Sequence, residues 1–295
     1  FGAKVGKVDD SAARKVEGVV DIKTLPSGVA VYANGTWPAI KARDLLKITW
    51  DESAAEKRGT SELIQDYRAR ARTPGLVAGQ HGDANATLSK AAKVIEAEYI
   101  FPYLAHAPME PLDGYLKFDG EKALARFGSQ FQTFEQATIA GVLGLKPEQV
   151  QIDTMLAGGS FGRRAQTTSH FVAELAQAAK AIGPARPVKL IWTREDDLRG
   201  GYYRPLFVHR LRGAVEGGKI VAWSNTIAGQ SFMKGSPLEG AMIKNGVDAT
   251  SVEGSKEIPY DVANFRCDVH MTEVGVPTLW WRSVGHTHTG YAVEC

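Results

Sequence analysis

Apolar and polar positions along the chain alternate in short blocks, which sets strands between polar turns and leaves few long helices. Residues 18–22 and 29–33 are apolar and β-branched, the composition of strands. Residues 37–46 read as a helix with Pro38 in its first turn, where a missing N–H costs nothing, and residues 47–50 as a strand. From Asp51 to about Ala86 the chain turns polar, passing through the basic run Arg68-Ala69-Arg70-Ala71-Arg72 and then Pro74-Gly75. This stretch is expected to be a connector, with the basic run on a solvated helix face.

Beyond it the pattern sharpens. Residues 92–101 predict a strand, and residues 114–118 and 122–127 a hairpin around Asp119-Gly120, a strong turn pair. A helix should end near Leu143-Gly144, an apolar strand run over 150–156, and a long helix cover about 166–182. Residues 188–193 predict a buried strand, Arg194-Glu195-Asp196-Asp197 the start of a short helix, and residues 207–216 and 219–229 a pair across Gly217-Gly218. The β-α-β order argues for mixed α/β architecture, and a length of 295 residues for two domains.

The strand over 150–156 runs into Gly158-Gly159-Ser160-Phe161-Gly162-Arg163-Arg164. Three glycines in five residues let backbone approach a ligand closely. A helix starting directly behind them would offer free N–H groups and the positive end of its dipole to an anion. Arg163 and Arg164 would add cationic donors suited to phosphate. No Lys-Ser or Lys-Thr pair follows the last glycine, and no G-x-G-x-x-G occurs, so neither a Walker loop nor a dinucleotide fingerprint accounts for the segment. The competing reading is a tight turn whose arginines face solvent.

Composition narrows the field little. A net charge of +2, with basic residues scattered among acids, gives no footprint for nucleic acid. No apolar run reaches membrane-spanning length and no signal peptide opens the chain. Cys267 and Cys295 are the two cysteines, too few for an iron–sulfur cluster or a cysteine-based zinc site. Phe1 stands where Met is usual, and residues 291–295 resemble the first turn of an unfinished helix, so a fragment is expected.

Four segments carry a family resemblance: Ala107-Pro108-Met109-Glu110-Pro111, the 158–162 loop, Thr193-Arg194-Glu195-Asp196-Asp197 and Trp281-Arg282-Ser283-Val284-Gly285. In this order they resemble the large subunits of molybdenum hydroxylases, the xanthine dehydrogenase and aldehyde oxidase superfamily, and within it the bacterial isoquinoline 1-oxidoreductase beta subunits and related aldehyde-oxidising enzymes. The resemblance implies an α+β fold: a mixed α/β molybdopterin-binding domain preceded by part of an a/b hammerhead domain. Residues 1–55 would be the end of the hammerhead, 56–86 the connector, and 87–295 the first molybdopterin-binding domain, truncated at its C-terminus.

It also implies roles. Gln130 would donate its side-chain amide to an oxo ligand near the metal, and backbone N–H groups around Gly158, Gly159, Ser160, Phe161 and Gly162 would hold that ligand and the pterin. Phe161 would wall the site, with a core aromatic under the loop as the bland alternative, and Arg282 would lie in the substrate pocket, partly buried by Trp280 and Trp281, with a surface salt bridge as its bland alternative. Arg163, Arg164, Gly285 and His286 would complete the cofactor-binding set. Metal is expected to be held by molybdopterin, in its cytosine dinucleotide form, rather than by side chains.

Oxidative hydroxylation with water as oxygen source is the implied chemistry. Electrons would leave through a small [2Fe-2S] subunit, with a cytochrome c as a further acceptor. The family's general-base glutamate lies in a later domain, so none is nominated here and this chain alone should be inactive. Ala165 stands where purine-oxidising relatives carry a glutamate, and Ser283 where carbon monoxide dehydrogenases carry a cysteine. An aldehyde or an N-heteroaromatic is the substrate class that remains. The resemblance points to the periplasm, with the cytoplasm as alternative. His106, His81, His170, His209 and His270 read as structural histidines. A non-catalytic phosphate- or nucleotide-binding module on the same fold is the second hypothesis.

Overall fold

A computed structural model describes residues 1–184 and 186–295. They form two compact units interleaved in sequence, Phe1–Glu56 with Ala107–Gly200 and Lys57–His106 with Gly201–Cys295.

The first unit opens with an antiparallel ribbon, Lys4–Asp9 on Lys47–Asp51, and the hairpin Val19–Leu25 on Gly28–Ala33. The helix Thr36–Asp44 covers the hairpin, and Ala13, Ile22 and Ala42 bury a small core with Val29, Val31 and Leu46. The rest is a four-stranded sheet in the order Val188–Ile191, Asp113–Phe118, Ala123–Phe127, Val150–Thr154, antiparallel except for the last pair. Alternation sends Leu116, Ala123, Ala125 and Phe127 inward. There they meet Ile139 and Leu143 of the helix Gln132–Leu143 and Phe171, Val172, Leu175 and Ala179 of the helix His170–Ile182, whose apolar side chains recur with the helical period. A Cβ at Gly114 would come within 2.8 Å of Leu175 Cδ2, so glycine lets that helix sit close to the sheet. Gly144, at φ 78°, ends the first helix and returns its N–H to the Ala140 carbonyl at 2.9 Å.

The second unit is built on a five-stranded sheet, in the order Leu76–His81, Asn264–Thr272, Lys219–Gln230, Phe207–Glu216, Val94–Phe101. Lys219–Gln230 and Asn264–Thr272 run parallel; the other neighbours are antiparallel. Leu63, Tyr67 and Ala71 of the helix Thr60–Ala71 pack on Leu206, Val208 and Ala228. The short helix Ala84–Lys90 is capped by Asp83, whose carboxylate accepts from Ala86 N–H at 2.9 Å, and the chain closes in the helix His286–Glu294. No helix among the described residues is long and apolar enough to cross a membrane.

The α+β class stands as expected, with two corrections to local structure. The polar stretch read as a connector is folded: it holds the helix Thr60–Ala71 and an edge strand of the large sheet. The helix behind the glycine loop begins at His170, not near 166, because residues 161–164 turn first and Ser169 enters the helix at φ 48°. The loop therefore does not lie at that helix's N-terminus, and the dipole argument falls away.

Candidate functional site

Three loops of the first unit converge at the end of its sheet: residues 107–111, the turn 128–131 after the strand Ala123–Phe127, and the glycine loop after Val150–Thr154. Their junction is Arg164, buried at 2% exposure. Its guanidinium donates to the Glu110 carboxylate at 2.6 Å, to the Gly159 carbonyl at 3.3 Å and to the Gly128 carbonyl at 3.4 Å. A planar fork of five donors can serve several acceptors at once. Glu110 closes the tie by accepting from Gly158 N–H at 3.0 Å, while its own N–H donates to the Gly158 carbonyl at 3.0 Å.

The glycines are needed for this closeness. A Cβ on Gly158 would lie 2.6 Å from Glu110 Cβ, and one on Gly128 2.6 Å from Ala157 Cβ. Gly159, Phe161 and Gly162 take φ of 112°, 56° and 106°. These left-handed values keep the segment out of strand and helix, so its backbone N–H groups are not used in a ladder. The N–H groups of Gly159, Ser160 and Gly162 have no acceptor among the described residues. Gln130 sits beside them, exposed, with its Oε1 accepting from the Ser160 hydroxyl. Phe161 is 42% exposed, so it stands at the rim rather than as a core aromatic under the loop.

Arg163 and Arg164 neither face solvent nor form the open cationic donors expected of a phosphate loop. Arg163 is 1% exposed, donates to His170 Nε2 at 2.9 Å and lies 5.5 Å from the Trp192 ring centroid. Burial, with Arg163 beside it, holds His170 well below the usual histidine range and therefore neutral. Under the Gln130 turn, Ser129 donates to Glu135, whose carboxyl is 1% exposed and pushed by burial up to about 7 against the pull of Ser129 and Arg164. The third motif braces the same region: Arg194 donates to the carbonyls of Pro108 and Met109 at 2.6 and 2.9 Å and to Asp197 at 3.0 Å.

Arg282, Gly285 and His286 belong to the second unit. Arg282 is exposed, against the expectation of partial burial; Trp280 is buried and Trp281 stacks on His106 at 5.0 Å. Ser283 and Val284 take φ of 78° and 48°, and a β-branched residue in that region stores about 1–3 kcal/mol. His286 is exposed with Glu253 at 3.7 Å, whereas His288 is fully buried against His209. His286 and His288, two residues apart, therefore have separate surroundings.

Glu110, Glu135 and the ties made by Arg164 were not foreseen. Glu110 lay in a quoted motif without a role, and its partner is 54 residues away, beyond the reach of any local pattern.

Residues 69–295 match the family described as molybdopterin cofactor-binding domain. The chain is 29% identical over 301 residues to isoquinoline 1-oxidoreductase subunit beta of Brevundimonas diminuta, aligning 98% of itself with 38% of that protein. It is 29% identical over 314 residues to the membrane-bound aldehyde dehydrogenase (pyrroloquinoline-quinone) of Gluconacetobacter polyoxogenes, aligning 100% of itself with 40% of that protein. The fold is that of the aldehyde oxidoreductase from Desulfovibrio gigas, with a TM-score of 0.73, 20% identity, and coverage of 99% of this chain and 36% of that one. The chain thus spans about two fifths of the length of the curated relatives it matches.

Proposed function

Because the chain belongs to the molybdopterin cofactor-binding domain family, we propose that it supplies the glycine-loop side of the cofactor site in a molybdenum hydroxylase that oxidises an aldehyde or an N-heteroaromatic. The observation that carries this reading is the loop at Gly159, Ser160 and Gly162, whose three N–H groups have no acceptor among the described residues, with the Gln130 amide beside them. Such a donor set fits an oxo- and carbonyl-bearing cofactor. When bound, the cofactor supplies the two-electron redox chemistry.

This chain's own residues hold and orient it. The N–H groups of the loop and the Gln130 amide are fixed donors that stabilise negative charge without rearranging. Phe161 screens the rim from water. Arg164, Glu110 and Arg163 support the loop from beneath rather than touching the ligand, which weakens the alternative of a phosphate-binding module that would use those arginines. Arg282, Gly285 and His286 are assigned to the substrate and pterin sides by resemblance. The same reading takes residues 1–55 as the end of a hammerhead domain and 87–295 as the first molybdopterin-binding domain, with 56–86 between them. It includes water as the oxygen source, the cytosine dinucleotide form of the cofactor, and electron transfer to a small [2Fe-2S] subunit and onward to a cytochrome c.

The test is to express the full gene product in a host that makes the cofactor, then measure molybdenum and the cytidine monophosphate released on hydrolysis. Near-stoichiometric amounts of both, with oxidation of aldehydes or isoquinoline-like rings, are expected. A metal-free protein that binds a nucleotide instead would replace this reading with the second hypothesis.

A further inference from the structure

Gln130 stands exposed on the turn before the helix Gln132–Leu143. Its Oε1 accepts from Ser160 Oγ–H, and Ser160 Oγ accepts in turn from the Arg164 backbone N–H at 3.0 Å. A serine hydroxyl has one proton to give. The N–H of Arg164 occupies one lone pair of that oxygen; were the other to accept from the Nε2 end of Gln130, the hydroxyl proton would have no acceptor among the described residues, so the proton goes to Gln130 Oε1. The far end of a glutamine is nearly two-fold in shape, so a half-turn of its last torsion swaps oxygen for nitrogen at little steric cost. Nothing in the shape of the residue decides which end faces outward.

The hydrogen-bond relay decides it. With Oε1 held by Ser160, the Nε2 group turns the other way, and it has no acceptor among the described residues. The relay has a rigid root, because the Arg164 side chain is fully buried and tied to Glu110, Gly128 and Gly159. A free Gln130 could present its carbonyl oxygen, which would repel an oxo or anionic ligand.

We propose that Ser160, seated by Arg164, is the positioning residue that locks the Gln130 carboxamide with its N–H₂ donor end toward the ligand side of the glycine loop. This rests on the reading of that loop as the molybdopterin site and adds to it the residue that sets the polarity of one of its donors.

Two measurements test it. The first uses the full chain without cofactor, labelled with ¹⁵N-glutamine, with the Gln130 side-chain signal assigned by its loss in Gln130→Glu. Its order parameter should be close to that of rigid backbone, about 0.85, and fall below about 0.6 in Ser160→Ala. The second is a double-mutant cycle on the rate at which the loaded protein loses molybdopterin. Ser160→Ala should speed loss about three- to tenfold, the worth of one ordinary hydrogen bond, but change it less than about twofold when Gln130 is already alanine. An unchanged order parameter, or the same acceleration in both backgrounds, overturns the proposal and leaves Ser160 a scaffold of the loop. If Ser160→Ala fails to fold, Ser160→Gly removes the hydroxyl without adding volume. A wild-type protein that never retains molybdopterin would sink the functional reading, while the cofactor-free arm still reports whether the lock exists.

Discussion

The guanidinium of Arg164 meets the carboxylate of Glu110 at 2.6 Å with the arginine side chain at 0% exposure and the glutamate at 36%. The pair is lopsided: one partner has lost its water and the other has kept a share. Removing the arginine strands two carbonyls, those of Gly128 and Gly159, together with a half-solvated carboxylate.

Arg164→Met should therefore destabilise the protein by about 2–3 kcal/mol, below the 3–5 typical of a fully buried pair because Glu110 can rehydrate. Arg164→Lys keeps the charge but lacks the fork, so it should recover only part of the loss. Urea unfolding of the three proteins checks this. Equal midpoints for Arg164→Met and wild type would mean the tie contributes nothing.

Gly158→Ala places a methyl 2.6 Å from Glu110 Cβ and 3.2 Å from its Oε2. The neighbouring loop must move, at a cost of about 1–3 kcal/mol. Since Glu110 also accepts from Gly158 N–H, cofactor retention should fall together with the melting temperature. Gly120→Ala separates crowding from strain: Gly120 sits at φ 99° with nothing within 4 Å of the added carbon, so it reports backbone strain alone, whereas Gly158 has no positive φ and reports crowding. A Gly158→Ala protein that melts like wild type would show that the two loops are not in contact there.

Much of this was legible where chemistry is local. Asp119-Gly120 announced the hairpin of Asp113–Phe118 and Ala123–Phe127, since a turn needing φ near 99° selects glycine within two residues. The closely spaced glycines of the 158–162 loop announced a close approach of backbone, but at Gly158 the neighbour is Glu110 of this chain. Of the helix Thr60–Ala71 only the solvated basic face at Arg68 and Arg70 was legible; its packing face was missed because the inward residues, Leu63, Tyr67 and Ala71, stand among mostly polar and charged positions. That narrow stripe gives a weak signal beside the surrounding arginines and acids. The fate of Arg163 and Arg164 was hidden for another reason: a sequence shows that two arginines follow a loop, but not that Glu110, His170 and Trp192 wait beneath it.

Glu135 carries a pH signature. Its carboxyl, raised from 4.5 to about 7 chiefly by burial, binds a proton in the folded state over a range where the unfolded chain has released it. Its contribution is thus fully present below pH 4.5, declines as pH rises toward 7 and stays lost above it. Glu135→Gln keeps the neutral form and an acceptor for Ser129 at every pH. It should match wild type at pH 4.5 and exceed it by on the order of 2–3 kcal/mol at pH 8. Chemical denaturation at the two pH values decides the matter, and a gap that fails to grow with pH would place an ionised carboxylate at this position.

The second unit responds to acid through its buried histidines. His209 Nε2 and His288 Nδ1 lie 2.8 Å apart, so one nitrogen must be bare to accept from the other, and the bond requires at least one neutral ring. Burial lowers His209 from 6.5 to about 3, with a small opposing pull from Asn225, and holds His288 well below its usual range, with His209, Arg204 and His286 adding repulsion. Below pH 6.5 the unfolded chain takes up protons that the folded one refuses. Stability is therefore complete above pH 6.5 and lost as pH falls, by roughly 1.4 kcal/mol per histidine per pH unit. His288→Leu alone should cost about 1–3 kcal/mol at pH 7.5, because it strands the His209 nitrogen. His209→Leu combined with His288→Leu removes both ends of the bond and leaves Asn225 with its Ser255 partner at 2.6 Å. The double variant should be closer to wild type at pH 7.5 than the single one, and should lose much less stability between pH 6.5 and 5. Identical acid slopes in the double variant and wild type would mean that these two rings take up protons without unfolding.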